Sequence, residues 1–102
     1  MTPITFDPYI VETLMPDLVG HDRQPSAFLV YLFLWRQTHA AGKPTTQVAL
    51  LDIADGTGLS KRAVPAGLGR RAKRKLIAVA RASITAVPVY TVLRPWRERH
   101  RT

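Results

Sequence analysis

The stretch from Leu50 to Lys75, LLDIADGTGLSKRAVPAGLGRRAKRK, constrains the fold more than any other part of this chain. Its small and apolar residues stand at the spacings that two short helices meeting at a tight corner require. Ala54, beside Ile53, is small enough for a second helix to cross closely over the first. Gly58 follows Ala54 by four and is free to take the positive φ that reverses a chain without a Cβ clash. Leu59 plugs the corner, and Ser60 caps the next helix by accepting a bond from a free backbone N–H. Val64 and Leu68, four apart, then turn the inner side of that helix toward a core. The expected helices span about 50–57 and about 60–75.

This spacing of small residue, Gly-Leu-Ser and Val resembles the DNA-reading unit of winged helix-turn-helix proteins. The resemblance continues into an expected hairpin downstream and covers roughly residues 46 to 96. More loosely, the chain is similar to small prokaryotic winged-helix regulators and to the helix-turn-helix domains of plasmid and phage replication proteins. The resemblance implies a mainly α fold with a small β-hairpin, and a second helix that enters the major groove of double-stranded DNA. Three residues depart from the family's usual stronger helix formers. Pro65 lacks an N–H for the Lys61 carbonyl, and Gly67 and Gly69 each weaken an exposed helix by roughly 1 kcal/mol against Ala. Close approach of the backbone to DNA is one reading of the glycines, and drift is the other.

Charge supports a polyanionic partner. Residues 1–60 hold three basic side chains against six acidic ones, a net of −3, while residues 61–102 hold twelve against Glu98 alone, a net of +11. The whole +8 of the chain therefore belongs to its second part, starting one residue after the Ser60 cap. A surface tuned only for solubility would mix the two signs. The outward residues of the second motif helix are expected to be Lys61, Arg62, Pro65, Ala66, Gly69, Arg70 and Lys73. Arg62 is assigned to bases, where a guanidinium grips guanine O6 and N7 together, and Lys61, Arg70 and Lys73 to phosphates. Backbone N–H groups after Ser60 add a further phosphate contact. For any one of these residues a solvated side chain is the plain alternative.

Downstream, Leu76–Ile84 and Val89–Leu93 alternate as two strands joined by residues 85–88, the tip of a wing. Arg81, Ser83 and Thr85 then flank the adjacent minor groove or its phosphates. Tyr90 reads as core, Trp96 as packing back, and Arg94, Arg97, Arg99 and Arg101 as a basic tail following the DNA backbone or fraying.

Upstream, residues 1–24 read as an irregular arm punctuated by Pro3, Pro8 and Pro16. A short helix could start at Asp7-Pro8, but Pro16 argues against a continuous one. Residues 25–96 then form the winged helix-turn-helix domain and 97–102 the basic tail. The first helix of that domain is expected from Ser26, as cap, to Gly42, as stop. Ala27, Val30, Tyr31, Leu34 and Trp35 share one face, whereas Leu29 and Phe33 fall on nearly the opposite one. A helix apolar all round must be covered twice. The second face, with Leu29, Phe33 and Arg36, is assigned to a homodimer that reads two half-sites, with the arm over Phe33 as the alternative. Thr45–Val48 is expected as a short strand.

Other classes are disfavoured. The chain has no cysteine, which suits a reducing cytoplasm, and residues 1–12 lack a basic n-region. The apolar run 27–35 is far shorter than the ~20 residues a bilayer requires, so no membrane partner is expected. His21, His39 and His100 are scattered, GTG and GLG lack a phosphate-loop context, and Asp52 and Asp55 read as helix N-terminal charges. Neither an enzyme, a metal site nor a cofactor is expected. The expected activity is sequence-specific binding of duplex DNA by a cytoplasmic, nucleoid-associated prokaryotic regulator. Replication initiation and a winged-helix protein-interaction module are the alternatives.

Overall fold

The structure, a computed structural model, describes residues 3–73 and 75–98, with the backbone alone for 69–73 and 98. Two helical turns of the wide, π type, Ile10–Leu14 and Pro16–His21, lead into helix α1, Pro25–Gln37. A short 3-10 turn at His39–Ala41 is followed by strand β1, Thr46–Gln47, helix α2, Leu50–Thr57, and helix α3, Ala63–Lys73. Strand β2, Ile77–Ala80, strand β3, Val89–Val92, and a final turn of helix, α4, Pro95–Glu98, complete the described chain. The strands form one antiparallel sheet in the order β1-β3-β2, pairing Thr46 with Tyr90 and Ile77 with Val92. The protein is thus mainly helical with a small three-stranded sheet.

The core is built on α1. Ala27, Val30, Tyr31 and Leu34 are fully buried and Trp35 nearly so, as their shared face requires. Phe28 is buried with them. The helix starts differently from expectation: Gln24 stands at the N-cap position without a side-chain capping bond, Pro25 occupies the first turn, and Ser26 lies inside the helix. Pro25 loses nothing there, because the first N–H groups of a helix have no intrahelical partner. The helix also ends earlier, at Gln37, and Gly42 with φ of +71° closes the following turn instead.

The N-terminal segment is not an irregular arm. Ile10, Leu14 and Leu18, spaced by four, lie at 0–3% exposure in the same core cluster as α1. Each such side chain, buried, is worth roughly 1.5–3 kcal/mol of transfer free energy. Pro16 does not end the helical run because the turns around it are wide. The Met15 N–H reaches the Ile10 carbonyl and the Asp22 N–H the Asp17 carbonyl, five residues back. A wide turn moves the preceding carbonyls away from the proline ring that would strike them in an α-helix.

Long-range side-chain bonds fasten the layers. The Trp35 indole N–H donates to the Thr5 carbonyl at 2.8 Å, the Tyr31 hydroxyl to the Leu93 carbonyl at 2.8 Å, and His39 Nε2 to the Val92 carbonyl at 2.9 Å. Tyr90 is 1% exposed and belongs to the core. Trp96 packs back as expected, stacked on Tyr9 with ring centroids 4.7 Å apart.

Candidate nucleic-acid interface

The corner between α2 and α3 forms as its residues demand. Gly58 takes φ of +79° and returns its N–H to the Ala54 carbonyl at 2.9 Å. Thr57 locks the turn from the side, its hydroxyl donating to the Ile53 carbonyl at 2.7 Å and accepting from the Leu59 N–H at 3.3 Å. Ser60 Oγ accepts the Ala63 N–H at 3.2 Å, the capping bond expected of it. Helix α3 therefore starts at Ala63, three residues later than expected, and Lys61 and Arg62 lie in the turn that leads into it. Pro65 becomes its third residue. No α-helical bond is lost there, because that N–H would have been an orphan.

Helix α3 has two unlike faces. Val64 and Gly67 are buried and Leu68 is half-buried, all directed at the core. Gly67 has a structural reason: a Cβ on it would lie 3.1 Å from the Ser26 carbonyl oxygen and 3.2 Å from the Ala27 nitrogen. It lets α3 lie against the N-terminal end of α1, so close approach to DNA is not what this glycine serves. Pro65 and Ala66 on the opposite face are exposed, as are Lys61 and Arg62 in the turn before the helix. Among the described residues, neither Lys61 nor Arg62 has an ion-pair or hydrogen-bond partner. The side chains of Gly69, Arg70 and Lys73 lie outside the described residues.

The hairpin is shorter than its alternation suggested. Strand β2 stops at Ala80, and residues 81–88 form the loop. Arg81, Ser83 and Thr85 are exposed in it. The Ala86 N–H donates to the Ser83 carbonyl at 3.2 Å, closing a turn with Ile84 and Thr85 at its centre. The Ser83 and Thr85 hydroxyls are 3.4 Å apart, and the Arg81 guanidinium reaches the Ile84 carbonyl at 3.5 Å.

Arg94 and Arg97 are held against the N-terminal segment. Arg97 makes two bonds of 3.0 Å to the Asp7 carboxylate, Arg94 lies 3.8 Å from it, and the Trp96 indole donates to it at 3.2 Å. Arg94 also sits 5.9 Å over the Trp35 ring. Sequence reasoning missed Asp7 as their partner. Arg99 and Arg101, like most of the expected 97–102 tail, lie outside the described residues.

The face expected for self-association is partly closed within the chain. The Phe33 ring lies over Gly56 of α2, where a Cβ would meet Cε2. Leu29 is 40% exposed, Arg36 is exposed, and both border a shallow groove with Ile4, Phe6 and Phe33. No helix among the described residues is long and apolar enough to cross a membrane. Comparison with known protein families, curated proteins and solved structures finds no match for the chain.

Proposed function

We propose that the chain is a winged helix-turn-helix protein that binds double-stranded DNA through the outer face of α3 and the turn before it. The observation that carries this reading is the division of that helix. Val64, Gly67 and Leu68 turn one side inward, with Gly67 against α1. Pro65 and Ala66 on the other side, and Lys61 and Arg62 in the turn before it, stand exposed, the two basic residues without an intramolecular partner among the described residues. The order helix, short strand, helix, helix, hairpin, with β1 and β2 flanking β3, supports the winged assignment. The chemistry agrees: no acidic residue occurs between Lys61 and Arg97, so nothing in that span repels phosphate.

In this mechanism Lys61, Arg70 and Lys73 neutralise phosphates and supply most of the affinity. Arg62 reads a base edge in the major groove, and Arg81, Ser83 and Thr85 meet the neighbouring minor groove. The protein acts as a cytoplasmic homodimer on two half-sites, joined through the Leu29 and Arg36 side of α1, and serves as a prokaryotic regulator. Phe33 supports that side from beneath.

Selection of bound fragments from random duplex DNA tests the reading. A recurrent sequence is expected, and Arg62→Ala with Arg70→Ala should abolish its enrichment while the circular dichroism stays native. Unchanged affinity at 150 mM salt would rule out this face. Leu29→Glu should shift sedimentation toward monomer, and an unchanged oligomer would remove the interface.

A further inference from the structure

The loop between β2 and β3 carries a feature that phosphate neutralisation does not use. Ile84 is 93% exposed, whereas the other large exposed apolar residues lie between 38% and 51%. It stands at the centre of a turn together with Thr85, positions where Gly, Asn, Asp, Pro and Ser dominate for conformational reasons. Ile84 buries almost nothing there. The turn is nonetheless held, by the Ala86–Ser83 backbone bond, the Ser83–Thr85 hydroxyl contact and Arg81 on the Ile84 carbonyl. An apolar side chain is therefore presented at a fastened tip with hydroxyls on either side and a guanidinium beneath.

We infer that Ile84 is a wedge, inserted from the minor groove between two base pairs beside the site where α3 lies, so that binding bends the duplex. This rests on the proposed DNA-binding role. The occupant is argued from chemistry. The faces of stacked bases are apolar and receive a branched aliphatic group, which is how minor-groove wedges unstack a step. Minor-groove edges of A·T pairs offer acceptors to Ser83 and Thr85, and Arg81 lies where a phosphate passes. The hairpin follows α3 almost directly, with Lys75 at φ of +59° turning the chain between them. Pyrimidine–purine steps, which unstack most easily, are the expected targets.

The test uses the full chain and a duplex of about 30 base pairs. It carries TA steps, dyes at both ends and 2-aminopurine at successive positions. Wild-type protein should shorten the end-to-end distance on binding and raise 2-aminopurine fluorescence several-fold at one step. Ile84→Ser should remove both signals, leave the melting temperature unchanged and weaken binding by less than about tenfold. A bound but straight duplex, or a bend that persists in Ile84→Ser, overturns the wedge while leaving the DNA-binding proposal standing. Absence of duplex binding by the wild type overturns both. Ile84-dependent binding to phosphatidylglycerol vesicles, with no response from the duplex, would assign the tip to a lipid surface and overturn the wedge.

Discussion

Arg94 and Arg97 look no different in the sequence from Lys61 and Arg62: both pairs stand in the basic part of the chain, beside residues expected to touch DNA. In the structure they have opposite fates. Arg94 and Arg97 converge on Asp7, some ninety residues away, and join the N-terminal segment to the end of the sheet. Lys61 and Arg62 lie open in the turn that leads into α3, a helix whose inner side is packed. A carboxylate that satisfies two guanidinia leaves less of them for phosphate. The pair with no ion-pair partner among the described residues keeps more of its attraction. Net charge alone thus does not locate a binding face; the pairing separates charge open to solvent from charge used to hold the fold.

The largest effect that could break this contrast is loss of the N-terminal segment that presents Asp7. Leu14→Ala should lower stability by about 2–5 kcal/mol, the usual range for a buried leucine. Urea denaturation reads this directly. A loss below about 1 kcal/mol would mean that the segment is detachable and Asp7 a casual neighbour.

The seating of α3 gives a smaller effect with a distinctive sign. Gly67→Ala should destabilise by about 1–2 kcal/mol through its clash with the Ser26–Ala27 backbone. This outweighs the gain of up to about 1 kcal/mol that alanine brings to a helix. A rise in melting temperature would show that α3 is seated more loosely than described.

Asp7→Asn sharpens the contrast most finely. The Arg97 side chain is 56% exposed, so solvent screening keeps the expected loss near 1 kcal/mol. Duplex affinity, however, should rise a few-fold, because two guanidinia are released and one negative charge is removed. A fall in affinity would place Asp7 on the DNA-binding face and contradict the division into two clusters.

Local chemistry explains what was legible in the sequence. The α2 helix and its corner follow from Ala54, Gly58 and Ser60, which interact within a few residues of one another. The buried face of α1 follows from helical periodicity at Ala27, Val30, Tyr31, Leu34 and Trp35. What escaped depends on distant neighbours. Gly67 looked like a helix defect because its reason is the end of another helix. Gly56 makes room for Phe33, which closes part of the face assigned to a dimer. Pro16 signalled a break only on the assumption of α-helical turns, and the chain around it is wound wider. In the hairpin, alternation continues to Ile84 although β2 ends at Ala80, because period-two patterning does not say where pairing stops.

The most direct test of the open face is the salt dependence of duplex binding, compared between the wild type and a Lys61→Ala, Arg62→Ala double variant. A plot of log affinity against log salt should be steep for the wild type. Its slope should flatten in the variant by roughly 0.9 for each phosphate contact removed, with the melting temperature unchanged. Equal slopes and equal affinities in the two proteins would contradict the account.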